Sequence, residues 1–160
     1  MHGDVFDEAD FFKAIARSGA RVLLIGRRAL IAHGLPVLTA DYDLWVHIDD
    51  IARLNAAVVD LDLEPNRTPE QARGVGRYVL ENSVHVDVLV ARSSSTKDGV
   101  PVTFDDVWAR HEDMLYQPSV TIAVPTIDDL ILTKRWSMRD KDIADIHLLE
   151  TLKRARRGGP

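Results

Sequence analysis

The chain has 160 residues, 46% apolar and 28% charged, which suits one folded domain with a real core and excludes a disordered or low-complexity segment. Zero cysteines exclude disulfide scaffolds, thiolate zinc sites, iron–sulfur clusters and cysteine nucleophiles, leaving oxygen and nitrogen groups for any chemistry. The net charge of −5 argues against a duplex-DNA binder, and no run of about 18 apolar residues or signal-like start is present, so a cytoplasmic protein without a membrane partner is expected.

The start is acidic (Asp4, Asp7, Glu8, Asp10), and phase-matched Phe11, Phe12 and Ile15 predict a helix over 7–18, ended by Ser18-Gly19. Val22 to Ile25 reads as a buried strand stopping at Gly26, and Arg27 to His33 as a helix closed by Gly34. From Asp41 to Ile48 the alternation is strict. Tyr42, Leu44, Val46 and Ile48 share one face, and Asp41, Asp43, Trp45 and His47 share the other, which predicts a strand with a wet, acidic face. Asp49 or Asp50 is placed to cap a helix with Ile51, Leu54, Val58 and Leu61 inward. Residues 65–76 read as a loop with one turn at Thr68-Pro69-Glu70-Gln71.

A hairpin is expected from Arg77 to Leu80 and Ser83 to Val90, with Val84, Val86, Val88 and Val90 on one face and His85, Asp87 and Leu89 on the other. Arg92 to Gly99 reads as a polar surface loop; its Ser93-Ser94-Ser95 lacks the G-x-S-x-G elbow of serine hydrolases. Thr103 and Asp106 cap a short helix with Phe104, Val107, Trp108 and His111, and Val120 to Val124 forms a last strand. Thr126 and Asp129 predict a capping box, followed by the stripe Ile127, Leu130, Ile131, Lys134 and Met138, in which Lys134 occupies an apolar position. After the polar break at 139–142, Ile143, Ile146, Leu149 and Leu152 point inward. That helix runs into Lys153, Arg154, Arg156 and Arg157, read as cations at the negative end of a helix dipole or as a contact for RNA or phosphate.

The chemistry concentrates in Asp41 and Asp43. Carboxylates at i and i+2 of a strand project from one face about 7 Å apart by strand rise. They repel each other, and aspartate is a poor strand former, so the pair reads either as a cation site or as a solvated strand edge. Hard oxygen donors suit Mg²⁺, which commonly takes one or two carboxylates plus substrate phosphates. Asp87, isolated on the non-valine face of a neighbouring strand, supplies a third acid. Three such groups can hold two ions about 3.5–4 Å apart for phosphoryl-type transfer. Gly26 adds a strand-to-helix turn suited to phosphate. None of the six histidines has metal-site spacing; His33 reads as structural, and His47 and His85 are minor candidates for nucleotide contact.

Leu24-Ile25-Gly26-Arg27-Arg28-Ala29-Leu30, Ala32-His33-Gly34 and Leu38-Thr39-Ala40-Asp41-Tyr42-Asp43-Leu44-Trp45-Val46 resemble the minimal nucleotidyltransferase family and the nucleotidyltransferase-type toxins of bacterial abortive-infection systems. Val124 to Leu130, Lys134 and Arg139 to Ile146 resemble that family's C-terminal helices, so the likeness spans about residues 20–150. It implies an α+β fold with a mixed β-sheet flanked by helices, a core over 1–125, and a helical segment over 126–160 packed on it. It implies Asp41, Asp43 and Asp87 as catalytic residues and ligands of a two-ion Mg²⁺ site. Gly26, Arg27 and Lys134 would bind the NTP.

The same resemblance implies transfer of a nucleoside monophosphate from an NTP to RNA, a protein or a small molecule. A toxin–antitoxin role would add a cognate antitoxin as partner, or a homodimer. The family places glycine or serine where this chain has Arg27. That bulk either blocks the phosphate loop, leaving a module that only binds a nucleotide or a partner protein, or clamps the triphosphate with a planar guanidinium. Metal-dependent phosphodiester hydrolysis by the same acids is a third reading. Lys134 is a phosphate contact or a snorkelling core lysine. Asp142 and Asp145 complete the cleft, or Asp142 serves the helix dipole.

Overall fold

The computed structural model describes residues 6–92 and 94–158, so Asp4 and Ser93 lie outside the described residues. Helix α1 (Glu8–Arg17) starts at Asp7, whose side chain accepts from the Asp10 N–H, and buries Phe11 and Phe12. Strand β1 (Val22–Ile25) runs straight into α2 (Gly26–Ala32), followed by β2 (Tyr42–Val46), α3 (Ile51–Val58) and a 3-10 turn at Val59–Leu61. Next come β3 (Glu64–Pro65), α4 (Pro69–Val75), β4 (Arg77–Glu81) and β5 (His85–Val90), then the two-residue strands β6 (Ser94–Ser95) and β7 (Pro101–Val102). Helix α5 (Phe104–Arg110), hairpin β8 (Glu112–Gln117) and β9 (Val120–Val124), α6 (Ile127–Lys134) and α7 (Asp140–Gly158) complete the chain.

The main sheet has strand order β1-β2-β5-β4-β3, with β2 and β5 parallel and the other neighbours antiparallel, so the fold is α+β with a mixed sheet. Period-2 alternation sends the strand side chains to two cores. On one face Leu24, Leu44, Val86 and Val88 pack with Phe11, Leu54, Leu130 and Leu149 from α1, α3, α6 and α7. On the other, Leu23, Ile25 and Trp45 pack with Val102, Phe104 and Val107.

Several local expectations change. The acidic face of β2 is not wet throughout, because α5 arrives over it and buries Trp45 to 1% exposure. Asp50 does not cap α3 with its side chain; Arg21 takes the carboxylate instead, through its backbone N–H at 2.8 Å and its Nε at 2.8 Å. Residues 65–76 hold a full helix, α4, with the Thr68–Gln71 capping box, and a strand residue at Pro65. The loop expected over 92–99 contains β6, and Val120–Val124 pairs with an unforeseen β8 outside the main sheet. Thr126 does accept from the Asp129 N–H, but the Asp129 carboxylate goes to Arg110 rather than closing a box. On α7, Ile143 faces out and Asp142 and Asp145 face in, because cations from neighbouring segments meet them there.

Candidate active site

Parallel pairing of β2 with β5 puts Asp43 directly opposite Asp87, and β1 lies on the other side with Ile25 opposite Asp43. Asp41 precedes β2 and opens onto the same cleft, a cavity of about 570 Å³ that is also lined by Gly26, Arg27 and Lys134. The structure therefore brings together all six residues singled out in the sequence. A second cavity, about 140 Å³ and lined largely by apolar side chains of α1, β1 and β9, has Asp113 as its one titratable lining group and offers no comparable cluster.

The turn after β1 fixes its own residue type. Gly26 has φ +69°, and a Cβ built there would run into Asp43 Oδ2 and lie 3.1 Å from Asp43 Cβ and Cγ. Only glycine combines a left-handed backbone with that closeness. The Gly26 turn and the Asp43 carboxylate are thus in close contact.

Asp43 sits at the border of the second core. Burial pushes its carboxyl above the ordinary value, Asp87 and Asp41 push it further, and Lys134 and Lys141 oppose them. Among the described residues no three His, Asp or Glu side chains close on one point as a finished metal cage. The carboxylates form an open row, with Asp87 about one-third exposed and contacted by His85 Nε2 at 3.2 Å. An open row of hard oxygen donors, mutually repelling and partly desolvated, fits Mg²⁺, which fills its remaining positions with phosphate and water.

A buried ionic group forms the opposite wall. Asp145, fully buried, accepts from Lys134 Nζ at 2.8 Å and from Arg27 Nη2 at 3.0 Å. Lys134 therefore does not snorkel; its ammonium is tied inside. Arg27 turns along the wall, with Nη1 3.4 Å from the Leu38 carbonyl oxygen and a buried Nε that has no hydrogen-bond partner. Two cations share one carboxylate, which leaves a net positive charge facing the acids. Beside them Asp142 accepts from Arg139 Nε at 3.0 Å and Ser137 Oγ at 2.8 Å. Burial would raise its carboxyl, but these bonds outweigh burial and hold it below the usual range.

Arg77, Trp136, Arg139 and Lys141 also line the cleft and were missed. Exposed charged residues carry no periodic signal. Trp136 is detectable only through its edge-on contact with Trp45, at 5.2 Å between ring centroids. His47 stands by Asp105 and Phe104, away from the cleft lining, and His33 is buried with Nε2 donating to the Pro125 carbonyl at 2.8 Å.

No protein-family model matches the chain, and no curated protein sequence matches it. Solved structures do. A Thermotoga maritima protein, TM1012, described as a nucleotidyltransferase, superposes with a TM-score of 0.55 at 11% identity, covering 94% of this chain and 91% of its own. The lincosamide antibiotic adenylyltransferase LnuA, in its lincomycin-bound structure, gives 0.60 at 12% identity over 91% and 98% of the two chains. The antibiotic-resistance factor ANT(2'')-Ia gives 0.60 at 13% identity over 93% and 88%. The chain has the nucleotidyltransferase fold. Within that fold, Asp43 and Asp87 stand on adjacent parallel strands at the head of the Gly26 turn. Among the described residues, no helix is long and apolar enough to cross a membrane.

Proposed function

We propose that the protein transfers a nucleoside monophosphate from an NTP to an acceptor hydroxyl and releases pyrophosphate. The observation that carries this reading is the cross-strand opposition of Asp43 and Asp87 beside the Gly26 turn, facing the Lys134–Asp145–Arg27 wall. Two like charges directly opposite on neighbouring strands destabilise the sheet, and partial burial deepens the repulsion, so the arrangement makes physical sense as a cation seat. Asp41, Asp43 and Asp87 would hold the Mg²⁺ ions, which when bound draw charge from the phosphate oxygens and lower the pKa of the acceptor hydroxyl.

The remaining work falls to the chain. Lys134 and Arg27 offer fixed cations to the leaving phosphates, already oriented by Asp145. The acceptor oxygen forms a bond to the α-phosphorus. The bond from that phosphorus to its bridging oxygen breaks, the electron pair leaves on pyrophosphate, and the hydroxyl proton passes to the Asp87 carboxylate. Arg27 on this reading clamps the triphosphate rather than blocking the loop, because its guanidinium lies along the wall instead of across Gly26. That LnuA is a lincosamide antibiotic adenylyltransferase supports the reaction class on this fold.

The test offers the purified protein Mg²⁺ and each α-labelled NTP together with total cell RNA, total protein or a small-molecule extract. Label is expected in one acceptor class and absent with folded Asp43→Ala. Stabilisation by NTP and Mg²⁺ without any transfer would replace the enzyme by a nucleotide-binding module. Growth arrest on expression, abolished by the same substitution, would support the toxin role.

A further inference from the structure

Asp41 poses a geometric problem. The ladder with β5 starts at Tyr42 and the ladder with β1 ends at Asp43, so Asp41 lies outside both. It ends the irregular segment that crosses from α2, in which Leu38 is 89% exposed. A carboxylate meant to share a cation with Asp43 needs its backbone fixed by something other than the sheet. Arg28 meets that need. Its Nε donates to the Asp41 carbonyl at 3.1 Å and its Nη2 to the Thr39 carbonyl at 3.2 Å, so one planar fork grips two carbonyls of the crossing segment.

Arg28 is itself held from two sides. Nη1 donates to Glu8 Oε2 of α1 at 2.8 Å, and the guanidinium carbon stands 4.0 Å from the centroid of the Tyr42 ring. Glu8 also accepts from the Tyr42 hydroxyl at 2.5 Å and the Tyr116 hydroxyl at 3.0 Å, which adds β8 to the brace. Because Glu8 neutralises it locally, Arg28 brings the cleft little net charge. Its contribution is position.

We propose that Arg28, braced by Glu8, is the positioning residue for Asp41: it holds the Asp41 backbone at the edge of the cleft so that the carboxylate can share a cation with Asp43. This rests on the nucleotidyl-transfer reading only in treating the acid row as a cation seat. It requires that Arg28 act through Asp41 and not through general stability.

The experiment measures Mn²⁺ affinity of the full chain by loss of the free-ion EPR signal, without turnover, in a cycle of Arg28→Lys, Asp41→Asn, their double variant and Asp43→Asn. Lysine keeps the charge and a link to Glu8 but loses the two-carbonyl fork. Arg28→Lys is expected to weaken Mn²⁺ binding about tenfold, the lower end for loss of a group that orients a ligand. In the Asp41→Asn background it should add nothing. Unchanged affinity, or an equal loss with and without Asp41, overturns the proposal, since a merely structural arginine gives additive effects. If Arg28→Lys and Asp41→Asn weaken Mn²⁺ binding as one unit and Asp43→Asn weakens it too, but no NTP is turned over, the positioning stands and the transfer reading falls. If Asp43→Asn leaves the affinity unchanged, Asp41 shares no cation with Asp43 and the proposal falls. If the wild-type chain binds no Mn²⁺, both fall.

Discussion

Gly26→Ala tests the contact on which the site is built. Two penalties act together. A left-handed backbone at a residue with Cβ costs about 1–2 kcal/mol, and the new methyl must push the Asp43 carboxylate off its rotamer for about 1 kcal/mol more. The total is about 2–3 kcal/mol, or a fall in Tm of about 5–10 °C for a chain of this size. Gly34→Ala is the matched control: Gly34 has φ +98°, but nothing lies within 4 Å of where its new methyl would stand, so it carries only the backbone penalty.

The functional consequences separate further than the stabilities. Displacing the Asp43 carboxylate by about 1 Å, the shift needed to restore an ordinary contact with the new methyl, should lower nucleotidyl transfer by about 10²-fold. Gly34→Ala should retain transfer. Thermal melts followed by circular dichroism, with label transfer measured well below both midpoints, give the comparison. Equal destabilisation of the two variants together with full transfer by Gly26→Ala would refute the argument that Asp43 occupies the space of a Cβ.

Asp43→Asn removes a repelling charge from a partly buried row; it should abolish transfer yet raise stability by about 0.2–1 kcal/mol, read from urea midpoints at pH 7, and a destabilised variant would contradict the repulsion. Asp145→Ala strands Lys134 inside the wall and should cost about 3–5 kcal/mol, whereas Arg27→Ala leaves the Lys134–Asp145 pair intact and should cost about 1.5–3 kcal/mol; the reverse order would show that Asp145 is not the hub. Asp50 has its carboxyl held below the ordinary value, chiefly by its hydrogen bonds from Arg21, so it stabilises the fold above the unfolded-state value of about 3.9 and loses that effect as pH falls through its own folded value. Asp50→Asn should therefore be about 1.5–3 kcal/mol less stable than wild type at pH 7, with the gap closing below pH 4; a gap independent of pH would exclude the ionic origin.

Much of the fold was legible because its signals are local. Alternation placed Asp43 and Asp87 on their faces, and Gly26 marked the end of β1. Which strands become neighbours is not local. A slip of one residue between β2 and β5 would send Asp87 to the opposite face, and nothing in either segment alone fixes the parallel register. Trp45 misled for the same reason: flanked by Asp43 and His47 it reads as part of a wet face, and the helix that buries it comes from some sixty residues further along. Strand β8 escaped because Glu112 to Gln117 is only exposed or half-exposed, so no alternation marks it.

The cationic wall shows where sequence pattern and electrostatics part. Lys134 broke an apolar stripe and so signalled an unusual place, whereas Asp145 gave no sign of burial, because an acid on the polar side of a helix looks solvated until its partner is known. In the fold the two explain each other. A fully buried carboxylate is tolerable only when paired, and Lys134 and Arg27 together overpair it. The excess positive charge faces a row of acids with an excess of negative charge. Simple folding stability would have joined these groups directly. Keeping them apart across a cleft is the arrangement that the proposed nucleotidyl transfer needs, with phosphates toward the cations and a metal toward the acids.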